Sequence, residues 1–349
     1  MTGMQRRDFI VGASTAALAA PAALAQDTAL PATPSQLSTP GRPQAGDKFG
    51  RSVDAIPIID AHIHLFDGRR GPTYMGSAAY KAASSVNLPQ MYAPMAKACG
   101  IVGALIVESS AKLEDNQWYL DLVQANPIMV GVSGRLDPYS ADFGANLERF
   151  HANPLYRAIR ASRFYTADKA SGKVSLDAVA VANLKLLAEA GLAQDTANPS
   201  MPLMQANVML ADAIPNARII MDHLPSFDPV PDNQKAYEDV IKEMAARPNI
   251  FVKLTEVYHP RQADGVVVDD SRLLLERLEF LYAQFGEDRV MFGTDYPNSY
   301  GVATLSEEVG IMKKFFATKS RAQAEKYFWR NAAHIYKYIK RMPDQPSLG

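Results

Sequence analysis

The chain has 349 residues, of which 48% are hydrophobic, and its 36 lysine and arginine residues nearly balance its 37 aspartate and glutamate residues. This length allows one large barrel or two ordinary domains with a substantial core. The net charge of −1 gives no reason to expect nucleic acid or an anionic membrane as a partner. The single cysteine, Cys99, excludes an intramolecular disulfide.

Residues 1–25 have the pattern of an export signal. Arg6-Arg7 precede an apolar run from residue 9 to residue 24, and Ala23-Leu24-Ala25 has the spacing of a signal-peptidase site. The segment Arg-Arg-Asp-Phe-Ile resembles a twin-arginine signal, with a plain Sec signal or a retained anchor as the alternative. Residues 26–53 are rich in proline and polar residues, which predicts a disordered leader. We therefore expect export to the periplasm through the twin-arginine pathway.

Residues 54–340 alternate short apolar runs with helical patterns. Near-continuous hydrophobicity is typical of strands that are buried on both faces. The eight runs are Ile56–His64, Gly103–Val107, Met129–Leu136, Ala158–Phe164, Leu192–Thr196, Ile219–His223, Ile250–Leu254 and Val290–Thr294. Two of the helical patterns end at Gly191 and Gly286, and glycine is common just after a helix.

Eight such units predict an α/β protein with a single (β/α)8 TIM barrel, followed by a C-terminal tail at residues 341–349. A doubly wound open sheet is the alternative, but no glycine-rich nucleotide-binding loop follows the first run.

The polar residues that end these runs form the candidate site, because a TIM barrel carries its active site at the carboxyl ends of its strands. His62 and His64 end the first run, and their spacing places both on one face with Asp60 deeper. His223 ends the sixth run, and Asp295 follows the eighth. Imidazole nitrogens and a carboxylate suit a divalent metal such as zinc.

The same residues suit hydrolysis. Asp295 could accept a proton from an attacking water, and His223 or Arg160 could hold the oxyanion that forms. Each residue also has an ordinary explanation: a turn before Pro297 for Asp295, a core position for His223, an ion pair for Arg160. Because all three residues lie at the same end of the predicted barrel, a shared functional site is favoured over three independent structural explanations.

Four further residues are candidate substrate contacts. Arg163 lies close behind Arg160 in the fourth run, Asp195 lies near the end of the fifth, and Tyr296 and Asn298 follow the eighth. Arg160 and Arg163 suggest an anionic substrate, with a structural ion pair as the alternative.

Several segments carry a family resemblance. "IIDAHIHLFD", "MDHLPS", "VKLT" and "MFGTDYPNS" resemble the amidohydrolase superfamily, and especially its amidohydrolase-2, lactonase-like branch, over about residues 54–340. The resemblance implies a TIM barrel that hydrolyses lactones. It also implies that His62 and His64 bind a metal, that Asp295 is a ligand or general base, and that His223 polarises the substrate or is a ligand.

The chain departs from that family pattern at two strands. The fifth run, "LAQDTAN", has no histidine, and the fourth has arginine where binuclear members have a bridging lysine or glutamate. We therefore expect one divalent ion, zinc being the first candidate, rather than two. Asp195 could replace the absent histidine as a ligand or hydrogen-bond the substrate.

These observations predict a metal-assisted hydrolase that opens a small lactone, of a sugar-acid or muconic type that could carry a carboxylate. A decarboxylase of the same superfamily and a non-catalytic binding barrel are the alternatives. The expected partner is a small-molecule substrate, without nucleic acid and without a membrane after signal cleavage. The sequence does not predict the oligomeric state.

Overall fold

The structure is a computed structural model that describes residues 53–71, 85–227, 231–257, 261–263, 266–268, 271–301 and 303–348. The predicted export signal at residues 1–25 and the leader up to residue 52 lie outside these ranges. Within them, no helix combines the length and the apolar character needed to cross a bilayer.

Eight parallel strands form a nearly closed barrel, in which the spatial order follows the chain order. The strands are β1 (Ile58–His64), β2 (Ile101–Val107), β3 (Met129–Gly134), β4 (Tyr156–Arg160), β5 (Ala193–Thr196), β6 (Arg218–Met221), β7 (Ile250–Leu254) and β8 (Val290–Phe292). The chain after β8 returns to β1, where the backbone N–H of Asp295 donates to the His62 carbonyl at 2.9 Å and that of His64 donates to the Tyr296 carbonyl at 2.7 Å. The predicted TIM barrel is confirmed.

Helices connect the strands. They are α1 (Pro89–Ala98), α2 (Asp115–Ala125), α3 (Phe143–His151), α4 (Ala178–Glu189), α5 (Met201–Ala213), α6 (Gln234–Ala245), α7 (Ser271–Phe285) and α8 (Leu305–Phe316), and the chain then continues through α9 (Arg321–Glu325), a π-helical turn (Lys326–Arg330) and α10 (Asn331–Tyr336). Gly191 and Gly286 follow α4 and α7 with φ angles of 71° and 73°, a left-handed conformation that glycine adopts without steric cost.

Short two-stranded sheets extend the loops after β1, β4 and β7. They pair Phe66–Asp67 with Val86–Asn87, Tyr165–Ala167 with Val174–Leu176, and Arg261–Ala263 with Val266–Val268. All three follow the carboxyl ends of barrel strands, so they extend the wall on the side where a TIM barrel places its active site.

The strands are buried on both faces, as their apolar runs predict. Every residue of β1 is buried, and strand alternation places Asp60, His62 and His64 on one face. Asp60 accepts hydrogen bonds from the Thr294 hydroxyl at 2.6 Å and the Tyr92 hydroxyl at 2.8 Å. This deepest carboxylate therefore ties β1 to the segment after β8.

The C-terminal residues pack against the opposite end of the barrel. Gln345 donates to the carbonyls of Val102 and Pro127, both at 2.9 Å, and Arg341 donates to the carbonyl of Met129 at 3.1 Å. Val102 and Met129 lie at the amino-terminal ends of β2 and β3. Arg341 and Gln345, in the segment predicted as a tail, therefore bind backbone carbonyls at this end of the barrel.

Candidate active site

A cavity of about 830 Å³ lies at the carboxyl ends of the barrel strands. Each of the eight strands, or the loop that follows it, contributes a polar side chain to its lining: in strand order His64, Glu108, Arg135, Arg160, Asn198, His223, Glu256 and Asp295. Arg163 and Asn298 also line it. This is the end of the barrel at which the sequence predicted the site.

At the floor of the cavity, Asp295 Oδ1 faces three histidines. It lies 3.0 Å from His64 Nε2, 3.4 Å from His62 Nε2 and 3.9 Å from His223 Nε2. The Nε2 atoms of His62 and His64 are 3.1 Å apart. The predicted ligands and the predicted polarising histidine are therefore brought together.

These residues fit a metal ion. Asp295 Oδ1 is buried and has no hydrogen-bond donor, which is costly for a carboxylate unless a cation compensates it. The ligand atoms of His62, His64 and Asp295 are separated by 3.0 to 3.4 Å, close to the roughly 3.3 Å between ligand atoms of a tetrahedral zinc ion with bonds of about 2.0 Å.

The two β1 histidines are held with their Nε2 atoms directed to this point. His64 Nδ1 lies 2.9 Å from the Val107 carbonyl. A carbonyl can only accept, so Nδ1 carries the hydrogen and Nε2 offers a lone pair. Burial, reinforced by nearby Lys253 and Arg160, lowers the pKa of His62 and of His64 well below the usual histidine value. Neutral rings are the form that binds metals.

A buried charge network lies behind His62. Lys253, in β7, is fully buried; its ammonium group lies 2.9 Å from Asp195 Oδ1, 3.0 Å from Asp222 Oδ1 and 3.2 Å from His62 Nδ1. Asp195 also accepts hydrogen bonds from the hydroxyls of Ser133 and Tyr336. The network holds the His62 ring from the side opposite the cavity.

Backbone strain is concentrated at the same strand ends. Among the described residues, five that are not glycine have a positive φ, and four of them line the cavity: Asn198 (61°), His223 (57°), Glu256 (51°) and Asp295 (56°). Each such conformation costs about 1–3 kcal/mol, and it persists where the surroundings enforce it. The barrel therefore holds these side chains in place against local preference.

Close approach of β8 to β1 contributes to this geometry. A Cβ atom at Gly293 would lie 2.5 Å from Thr255 Cγ2 and 2.9 Å from His62 Cβ. Only glycine fits at this position. The close approach that it allows brings Asp295, two residues later, beside the histidines.

Arg160 and Glu108 stand beside the histidines on the cavity wall. Arg160 Nη1 lies 3.5 Å from His64 Nε2, and its Nε lies 4.0 Å from Glu108 Oε1; Arg135 Nη1 lies 3.8 Å from the same oxygen. Burial raises the pKa of Glu108 to about 7, although both arginines act to lower it. Burial and the neighbouring Glu256 likewise raise the pKa of Asp295 well above its usual range.

The predicted substrate contacts divide into two groups. Arg163 lines the cavity, and Asn298 lines it while donating to Asp295 Oδ2 at 2.8 Å. Asp195 and Tyr296 do not line it. Both oxygens of Asp195 are bonded inside the protein, and the Tyr296 ring packs against the Tyr92 ring with centroids 5.3 Å apart. These two residues have structural contacts in place of the predicted substrate contacts.

Several residues of the site were not predicted from the sequence. Glu108 directly follows β2, Arg135 directly follows β3, and Glu256 lies two residues after β7. All three could have been predicted from these positions at the carboxyl ends of strands. Lys253 could have been predicted from a different feature of the sequence. It is a charged residue inside the apolar run "IFVKL", and buried lysines require partners.

Comparison with known proteins places the chain in a family. The amidohydrolase family model matches residues 59–338. An L-fucono-1,5-lactonase from Burkholderia ambifaria is 25% identical over 303 residues, which cover 82% of this chain and 98% of that protein.

Solved structures with the same fold include a zinc-bound amidohydrolase from Burkholderia multivorans, at a TM-score of 0.67 and 21% identity, covering 81% of this chain and all of that one. A protein from Pseudomonas putida assigned as a 2-pyrone-4,6-dicarboxylic acid hydrolase has a TM-score of 0.61 at 18% identity, covering 81% of this chain and 98% of that one. A manganese-bound dihydroxybenzoic acid decarboxylase from Polaromonas has a TM-score of 0.56 at 15% identity, covering 83% and 99%. With its cluster of histidines and Asp295 at the mouth of the barrel, the chain belongs to the amidohydrolase family and is a hydrolase.

Proposed function

We propose that this protein opens the ring of a lactone by attack of water at the floor of the cavity. The observation that carries the proposal is the position of Asp295 Oδ1, which is buried without a hydrogen-bond donor and faces the Nε2 atoms of three histidines. The similarity to an L-fucono-1,5-lactonase supports the same class of reaction.

The chain's own residues account for the proton and the developing charge. Asp295 accepts a proton from the attacking water. His223 and Arg160 hold the oxyanion as the water oxygen bonds to the carbonyl carbon. The ring C–O bond then breaks, and the leaving alkoxide takes the proton back from Asp295.

His62, His64 and Asp295 are the residues that would hold a divalent ion. Such an ion would supply a Lewis acid that makes water acidic enough to react near neutral pH. The zinc in the Burkholderia multivorans structure supports zinc as the first ion to test.

A panel of lactones tests the proposal. We expect the protein to release acid from L-fucono-1,5-lactone, D-glucono-1,5-lactone, δ-valerolactone or a carboxylated γ-lactone, followed with a pH indicator. Chelation should abolish the release and added zinc should restore it. A protein that hydrolyses none of these lactones, with zinc bound, contradicts the proposal.

The arginines support a substrate that carries an anionic group in addition to the ester. Arg163 is exposed on the cavity wall and Arg160 lies deeper, and guanidinium groups bind carboxylates well. We expect Arg163→Gln to lower kcat/KM for the carboxylated lactone about tenfold and to leave δ-valerolactone nearly unaffected. Equal changes for both lactones would exclude this contact.

Decarboxylation is the second candidate, because the arginines would equally hold a substrate carboxylate and because the fold is shared with a dihydroxybenzoic acid decarboxylase. Carbon dioxide release from an aromatic acid, without acid release from any lactone, would favour it. A protein that binds such molecules but converts none would point to the non-catalytic alternative.

We also propose that the protein is exported through the twin-arginine pathway, on the basis of Arg6 and Arg7. Replacing both by lysine should remove the protein from the periplasmic fraction, whereas Arg42→Lys in the predicted leader should not. Unchanged export of the double variant would favour the Sec alternative.

A further inference from the structure

We propose that Glu108 determines substrate specificity by accepting a hydrogen bond from a ring hydroxyl group of the substrate. This inference rests on the proposed lactone hydrolysis. Glu108 would recognise the part of the substrate beyond the reacting ester.

The Glu108 carboxyl group is incompletely satisfied by the protein. Its side chain lines the cavity, yet only 2% of the residue is exposed. The backbone N–H of Ser110 donates to the carboxyl group, but Oε2 is buried and has no hydrogen-bond partner. A buried acceptor without a donor is unfavourable, and a ligand donor that reaches it stabilises the complex.

One arginine lies between Glu108 and the histidines of the reacting centre. Arg160 spans the gap, with Nη1 at 3.5 Å from His64 Nε2 and Nε at 4.0 Å from Glu108 Oε1. Because Arg160 lies beside both residues, a lactone whose carbonyl oxygen is held by Arg160 would have room for its neighbouring ring atoms on the Glu108 side of the cavity. A hydroxyl group on those atoms would then lie near the carboxyl group.

The charges near Glu108 favour a hydroxyl group over a carboxylate at this position. Arg135 and Arg160 both face Glu108 Oε1, at 3.8 Å and 4.0 Å. Their positive charges are therefore already paired with the Glu108 carboxylate and are less available to a substrate carboxylate. A substrate carboxylate beside the Glu108 carboxyl group would meet another acceptor, whereas a hydroxyl group could donate to it.

The test compares two six-membered lactones that differ in their hydroxyl groups. L-fucono-1,5-lactone carries ring hydroxyls and δ-valerolactone carries none. We expect Glu108→Gln, which keeps the size of the side chain, to lower kcat/KM about 10- to 100-fold for the hydroxylated lactone. The value for δ-valerolactone should change less than about threefold, since that substrate cannot make the hydrogen bond.

Asp137→Asn is the matched control, because it removes one carboxylate from the exposed rim of the same cavity. The ratio of the two kcat/KM values should be unchanged in this variant. Equal losses for both lactones in Glu108→Gln would show that Glu108 only positions Arg160, and an unchanged ratio would show that it does not contact the substrate. Either result overturns the proposal.

Binding of an unreactive ligand separates this inference from the proposed function. 1,5-Anhydro-L-fucitol carries the ring hydroxyls without an ester, and calorimetry measures its affinity whether or not any lactone is hydrolysed. Binding that is at least tenfold weaker in Glu108→Gln than in the wild type supports the inference even if lactone hydrolysis fails. No binding to the wild type, or equal binding to both, overturns it.

Discussion

The ammonium group of Lys253 lies 3.2 Å from the Nδ1 atom of His62. The same group lies within 3.0 Å of Asp195 and Asp222. These three charged residues form a buried cluster that contacts His62, a predicted metal ligand, on the side away from the cavity. Stability and site geometry therefore depend on one lysine.

Replacing that lysine should destabilise the fold strongly. Lys253→Met leaves Asp195 and Asp222 buried without their cation, and breaking a buried pair in this way costs about 3–5 kcal/mol of the free energy of unfolding. Urea unfolding measures the loss. Lys235→Met is the control, because Lys235 is exposed and pairs with Asp239 on the surface of α6; its effect should be small. Similar effects in the two variants would show that the cluster contributes nothing special.

The histidine pair should be needed for metal binding. We expect about one zinc ion per chain in the wild type, and a ratio near zero in His64→Ala, because the variant loses one of three adjacent ligand atoms. Metal analysis of dialysed protein gives this ratio without any activity assay. His334→Ala removes an exposed histidine on α10 and should keep the ion. A His64→Ala protein that retains its metal would exclude His64 as a ligand.

Glu108 should make stability depend on pH. Burial raises its pKa from 4.5 to about 7 in the folded protein, so the folded state holds a proton that the unfolded state releases between these values. The wild type therefore loses stability as the pH rises through this window, and the loss is complete above about pH 7. Glu108→Gln lacks this ionisation, so its free energy of unfolding relative to the wild type should rise over the same window by up to about 3 kcal/mol.

Urea unfolding at pH 5 and pH 8 measures that difference. Glu148→Gln, on the exposed side of α3, should give a profile parallel to the wild type. A Glu108→Gln profile that is also parallel would mean that Glu108 is ionised in the folded protein throughout this range.

The fold could be predicted because strands buried on both faces leave a simple trace in the sequence. Each of the eight apolar runs overlaps a barrel strand, and Ile250–Leu254 matches its strand at both ends. The ends of four runs were less accurate, because the strands end earlier, at Gly134, Arg160, Met221 and Phe292. His223 and Asp295 lie in turns with φ angles of 57° and 56°, and a hydrophobic pattern carries no information on such angles.

The site could be predicted where one strand end was enough to place a residue. His62 and His64 follow from the geometry of β1 alone. Asp195 was expected to contact the substrate, but Tyr336 from the last helix and Lys253 from β7 bind its carboxylate. Those partners are 141 and 58 positions away along the chain, and only closure of the barrel determines which of them reaches Asp195.

Asp295→Asn provides the most direct measurement of the central claim, that this carboxylate serves lactone hydrolysis at the histidine cluster. The amide keeps the size of the side chain but cannot accept the proton of the attacking water. The measurement is kcat for acid release from the best lactone of the panel, in folded protein with enough added zinc to saturate the variant, because Asp295 is also a predicted ligand. We expect a loss of at least about 100-fold. A variant that keeps near wild-type kcat with full zinc content would contradict it.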